Sequence, residues 1–142
     1  MSGIVIDASM ALAWLFERQQ PVDSERANHL LAACGEVPWW IPGLWHLEVA
    51  NALLVAERRS LLPQAESDRF LARLHSLPML TDTDPCPERG ARILALARHH
   101  ALSSYDASYL ELAQRLGAAL ASFDRQLNRA ASSIGVALFS QP

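Results

Sequence analysis

The chain has 142 residues, 51% of them apolar and 19% charged, a composition that points to one globular domain over residues 1–142 and away from disorder. A net charge of −3 does not by itself indicate a nucleic-acid binder, although acids gathered at one site can offset basic residues elsewhere. Charges interrupt every apolar run before membrane-span length, no basic leader precedes the first strand-like segment, and Cys34 and Cys86 are too few for a disulfide or zinc scaffold, so cytoplasmic residence is expected.

Residues 3–7 read as a short buried strand, and Ala8 to Phe16 as a helix with apolar residues at helical spacing that ends before Arg18 and Pro21. Val22 to Cys34 reads as a second helix, with Asp23 or Ser24 near its start and Gly35 closing it. Val37 to Ile41 is a brief strand. Pro42 then introduces a long helix, Leu44 to Arg59, and Pro63 starts another through Leu74. Pro78 to Thr81 is a third strand. Thr83 or Asp84 caps the next helix, with Pro85 and Pro87 in its opening turn and its body at Ala91 to His99. Ser103 or Ser104 caps a helix that runs to Leu116 and stops at Gly117. Ala118 to Ser122 is the fourth strand, Asp124 to Ala131 a last helix, and Val136 to Phe139 a fifth strand. Short apolar strands alternating with helices imply a parallel five-stranded sheet covered on both faces, a three-layer α/β/α sandwich.

Four acids stand out in that order. Asp7 and Asp124 each follow an apolar strand, where open parallel sheets collect their ligands. Asp106 opens a helix. Glu48 lies inside one, among Leu44, Leu47, Val49, Leu53 and Leu54, where a carboxylate needs a partner or a metal. For Asp7, Asp106 and Asp124 the plain alternative is helix capping, and for Glu48 an exposed helix face. Clustered carboxylates repel unless a cation lies between them, and oxygen-only ligands favour Mg²⁺ or Mn²⁺ over zinc. Ser9 is placed to orient Asp7, and Asn51, one turn beyond Glu48, to support that residue. Asp82 also follows a strand, but Thr81-Asp82-Thr83-Asp84-Pro85 reads as turn and cap chemistry. All 12 basic residues are Arg; with no Lys, any mechanism that requires a lysine is excluded.

These residues carry a resemblance. Ile4-Val5-Ile6-Asp7-Ala8-Ser9 and Glu48-Val49-Ala50-Asn51-Ala52-Leu53 resemble the first two blocks of PIN-domain ribonucleases. Ser104-Tyr105-Asp106-Ala107-Ser108-Tyr109-Leu110-Glu111-Leu112-Ala113 is similar to the third, and Ser122-Phe123-Asp124-Arg125-Gln126-Leu127 to the fourth. The blocks span essentially the whole chain in order, and its length is most similar to the VapC toxins of toxin–antitoxin pairs. The resemblance implies a sheet ordered 3-2-1-4-5, with Asp82 on a distant edge and an acidic, metal-holding, catalytic site of Asp7, Glu48, Asp106 and Asp124. It further implies an RNA substrate, a cognate antitoxin partner and a homodimer. Ser122 stands where the family has Thr or Ser. Arg125-Gln126-Leu127-Asn128 lacks the further acid that some members carry there, so a second metal is expected to bind weakly or only with substrate.

The resulting reading is a Mg²⁺- or Mn²⁺-dependent endoribonuclease, the toxin of such a pair, with Arg92, Arg98, Arg125 and Arg129 as candidate backbone contacts. The alternatives are a catalytically silent PIN-like interaction module and a non-toxin RNA-processing nuclease. A receiver-like phosphotransfer domain needs a lysine, and a haloacid-dehalogenase-like site needs an acid where Ser9 stands. Trp14, Trp39, Trp40 and Trp45 read chiefly as core, with one of Trp39 and Trp40 facing outward, and His99-His100 as dipole-compensating. Apolar residues of the first two helices (Leu12, Leu15, Phe16, Leu30, Leu31 and Ala32) are expected to leave part of their surface for an antitoxin helix.

Overall fold

The first strand lies at the centre of the sheet. β1 (Ile4–Ile6) is wholly buried and pairs in parallel with β2 (Trp39–Ile41) on one side and β4 (Ala119–Ala121) on the other. β3 (Met79–Thr81) pairs with the outer side of β2, giving the order β3-β2-β1-β4. The structure, a computed structural model, describes residues 3–16 and 19–140. Between the strands run α1 (Ala8–Leu12), α2 (Pro21–Ala32), α3 (Leu44–Arg58), α4 (Gln64–His75), α5 (Glu88–His100) and α6 (Ser104–Leu116), and α7 (Arg125–Ser133) follows β4. The chain steps outward from β1 to β3 and then returns to β4. Right-handed crossovers that reverse in this way cover both sheet faces with helices, so the three-layer class holds. Among the described residues no helix is long and apolar enough to cross a membrane.

Close packing at the start of β1 depends on Gly3. Its φ is +134°, and a Cβ there would stand 2.6 Å from the Pro38 carbonyl oxygen, the group that accepts the Ile4 N–H at 2.9 Å. A side chain would push β1 off β2 at that point. Behind the sheet Trp14 stacks on Trp39 with ring centroids 5.8 Å apart, and its Nε1 donates to the Ala27 carbonyl at 2.7 Å, tying α2 to the turn after α1. Trp39 and Trp45 are buried and Trp40 is half-buried, the alternation a strand requires.

Several boundaries move. The first helix ends at Leu12; Ala13, Trp14 and Leu15 continue it with i→i−3 bonds of 3.3, 3.1 and 3.1 Å, a tighter winding than α. The stop expected at Arg18 lies outside the described residues. Helix α5 begins at Glu88 with Pro87 in the cap position, while Asp84 accepts the Cys86 N–H at 3.0 Å and closes a turn before it. The fifth strand is a correction. Gly135, at φ +80°, brings the C-terminal segment against β4, but pairing is confined to a single parallel bridge between Leu120 and Leu138. The sheet of the described residues therefore has four strands, with that bridge at the fifth position.

Of the apolar residues of the first two helices, Leu30 is fully buried, and Leu12, Leu15, Phe16 and Leu31 are half-buried against the core. Ala32 is exposed. The core thus takes more of that surface than the spacing suggests.

Candidate active site: a carboxylate cleft at the switch point

Asp7 continues the ladder of β1, its N–H donating to the Ala121 carbonyl at 3.0 Å. It occupies the N-cap position of α1, yet its side chain makes no capping bond. Two hydroxyls converge on its Oδ2 instead: Ser122 Oγ donates at 2.6 Å and Ser9 Oγ at 2.8 Å. Each hydroxyl is in turn fixed by a backbone donor, Asp124 N–H to Ser122 Oγ at 3.0 Å and Phe123 N–H to Ser9 Oγ at 3.1 Å. Burial pushes the Asp7 carboxyl above its ordinary range; the two serines oppose that rise and the charge of Asp124 adds to it.

Glu48 approaches from the second turn of α3. Its Oε1 accepts the Tyr109 hydroxyl at 2.5 Å. Burial raises its pKa, the tyrosine bond opposes this, and Asp7 and Asp106 raise it further. Asp106 lies in the first turn of α6, its N–H donating to the N-cap Ser103 Oγ at 3.1 Å. Burial again raises its pKa first, then the charges of Asp124 and Asp7. Asp124 is both a cleft residue and a cap, since its Oδ1 accepts the Leu127 N–H at 2.9 Å at the start of α7.

All four carboxylates line one open cleft of about 410 Å³, together with Ser9, Leu12 and Phe123. It lies at the carboxyl ends of β1 and β4, between the two strands where the chain reverses its direction across the sheet. Among the described residues none of the four forms an ion pair with an arginine or histidine. Nor do three acidic, imidazole or thiol groups among those residues converge tightly enough to grip one ion directly. An all-oxygen, mutually repelling set of this kind fits a hard divalent ion held largely through its own water, as Mg²⁺ prefers.

The partner of Glu48 is a residue that sequence reasoning missed. Asn51 is exposed, and Tyr109, fully buried on α6, supplies the hydrogen bond. Its place three residues after Asp106 on the same helix was the available signal. Burial, followed by the charges of Asp7 and Glu48, holds the phenol far above its ordinary pKa, so it remains a donor.

A second acid cluster was also missed. Asp82 is not confined to turn chemistry: Arg115 Nη2 and Arg89 Nη1 reach its Oδ2 at 2.7 and 2.9 Å. Glu111, almost wholly buried, takes Arg115 Nε at 2.8 Å, Arg92 Nη2 at 3.1 Å and Arg89 Nε at 3.2 Å. Arg92 is exposed but has its guanidinium paired with Glu111; Arg98, Arg125 and Arg129 are also exposed. Glu111 stands alone in the apolar run Tyr109-Leu110-Glu111-Leu112, the same pattern that singled out Glu48.

The sequence profile described as PIN domain matches residues 4–132. The chain belongs to the PIN-domain family. As a PIN domain it is 33% identical over 124 residues to Ribonuclease VapC3 of Pyrobaculum aerophilum, covering 87% of this chain and 91% of that protein. Its fold is similar to the crystal structure of PAE2754 from Pyrobaculum aerophilum (TM-score 0.69, 25% identity), over 90% of this chain and 84% of the other. It is also similar to a toxin–antitoxin complex from Klebsiella pneumoniae (TM-score 0.63, 17% identity, 98% of this chain and 99% of that one).

Proposed function

We propose that this PIN domain is a divalent-metal-dependent endoribonuclease and the toxin of a toxin–antitoxin pair, acting in the cytoplasm. The observation that carries the reading is the set of four carboxylates in one cleft with hydroxyl donors but no paired arginine among the described residues. The similarity to a protein named as a ribonuclease supplies the substrate class.

In this reading Asp7, Glu48, Asp106 and Asp124 hold Mg²⁺ or Mn²⁺, largely through water. When bound, the ion supplies an acidified water and neutralises charge building on the phosphate. The chain's own residues do the rest. Ser9 and Ser122 keep Asp7 in one orientation, and the cleft carboxylates align the attacking water with the phosphorus and accept its proton. Exposed Arg125 and Arg129 on α7, next to Asp124, hold flanking RNA phosphates. The guanidinium of Arg26, 5.8 Å from the centroid of the Phe123 ring, stands beside the cleft and does the same.

The antitoxin follows from the resemblance of the sequence blocks and from the likeness to a toxin–antitoxin complex. A homodimer would be served by Leu47 and Leu54, two exposed leucines two turns apart on α3. Cleavage of RNA by the purified chain tests the central claim. Activity is expected to vanish in EDTA and to return with Mg²⁺ or Mn²⁺ but not with Ca²⁺, whose looser coordination suits in-line attack poorly. Undiminished cleavage in chelator would remove the metal from the mechanism.

A further inference from the structure

We infer that Tyr109 is a positioning residue: its hydroxyl fixes the carboxylate of Glu48 and thereby sets the cation affinity of the cleft. The inference rests on the metal-site reading of that cleft and goes further, to how the site is held open for an ion. Glu48 is the carboxylate least constrained by backbone. It sits in mid-helix on a long side chain, is half-exposed, and has Asp7 and Asp106 as like-charged neighbours. Repulsion alone would swing such a side chain toward water.

The Tyr109 hydroxyl, 2.5 Å from Oε1, opposes that swing. Its ring is fully buried, so the donor cannot follow Glu48 outward, and with Glu48 gone a buried hydroxyl would lose its partner. A hydrogen bond to an ionised acceptor is among the stronger kind. It engages Oε1 only; among the described residues no hydrogen bond reaches Oε2, which stays available to an ion or its water. Asp106 and Tyr109 are one helical turn apart on α6. One rigid turn therefore presents one carboxylate itself and sets the place of another from α3, 61 residues away in sequence.

The test is Tyr109→Phe, which removes one oxygen and keeps the ring. Thermal melting is followed while Mn²⁺ is titrated, alongside RNA cleavage at each metal concentration. The expected result is a Mn²⁺ midpoint raised about tenfold or more, as loss of a ligand's supporting hydrogen bond typically produces. Cleavage at saturating Mn²⁺ should stay within about threefold of wild type, since the ring and the other ligands remain. A folded Tyr109→Phe variant whose midpoint is unchanged, beside a wild type that does respond to Mn²⁺, would overturn the role of Tyr109 alone. A wild type with no Mn²⁺ response would overturn the metal reading and this inference with it.

Should the variant fail to fold, the wild type carries the test. The chain has two tyrosines, and Tyr105 is exposed, so ¹³Cζ-tyrosine NMR gives a probe and a control. Mg²⁺ should shift the Tyr109 signal and leave Tyr105 in place. A Tyr109 signal that stays still under saturating Mg²⁺ would overturn the inference.

Discussion

The two acid clusters of this protein use the same helix in opposite ways. At the start of α6, Asp106 faces a cleft with Asp7, Glu48 and Asp124, and no arginine among the described residues pairs with them. Two to three turns on, Glu111 and Arg115 join Asp82, Asp84, Arg89 and Arg92, three acids against three arginines. The second cluster is electrically complete and locks α5, α6 and the end of β3 together. The first is incomplete by design of its neighbours: hydroxyls orient the charges without neutralising them. A cluster that is satisfied holds the fold, whereas the one left unsatisfied is where the proposed cation would sit.

That contrast can be broken in four ways. The largest effect is expected from Asp7→Asn, which should lower RNA cleavage by more than about 100-fold while the metal-free protein melts at the same temperature or higher, because like-charge repulsion is relieved. Wild-type cleavage in that variant would take Asp7 out of the site.

Arg115→Met should show the opposite signature. It takes from the buried Glu111 its nearest arginine and from Asp82 its shortest ion pair, at a cost of about 3 kcal/mol. The melting temperature should drop by roughly 10 °C, with cleavage per folded molecule retained well below the transition. Asp82→Asn should destabilise less and likewise spare cleavage. Nuclease activity as damaged as in Asp7→Asn would join the two clusters into one functional unit.

The smallest effect is in pH. Asp7, Glu48 and Asp106 have folded pKa values above their unfolded ones, so the metal-free protein should gain stability as pH falls from neutral through those raised values. Burial raises Asp82 as well, but the Arg115 hydrogen bond and the Arg89 charge outweigh it, and its pKa is lowered. Its contribution is present above the ordinary aspartate value, about pH 4, and is lost as pH falls below that through the depressed value. Melting curves in EDTA from pH 7 to pH 3 should therefore rise and then fall, and the rise should be smaller in Asp7→Asn. An equally large rise in the variant and wild type would contradict the sign assigned to the cleft.

Much of this was legible in sequence where the signal is local. Asp7 and Asp124 follow apolar strands, and a strand end in a parallel sheet has one direction to point its successor. Asp106 follows a serine cap, and Glu48 interrupts an apolar helix. What escaped was long-range. The bond between Tyr109 and Glu48 joins α6 to α3 with no trace in either segment alone, and the arginine cluster draws on three separated stretches. Asp82 has the same local context as Asp7, a carboxylate after a strand; only the strand order, edge against centre, separates their surroundings. The fifth strand failed for a different reason. Of Val136 to Phe139 only Val136 is buried, and the run meets the sheet edge through one bridge, so its apolar residues alone did not foretell a ladder.

The paired serines beneath Asp7 also decide where a proton can go. Each hydroxyl accepts a backbone N–H and so must aim its own hydrogen at Oδ2. A hydrogen placed on that oxygen would meet two others already pointing at it. A proton taken up by Asp7 would therefore displace a serine hydrogen bond or settle on the other oxygen. In the proposed metal site, proton and cation would compete for this carboxylate, and acidity would act on the cleft as a competitive inhibitor of metal loading.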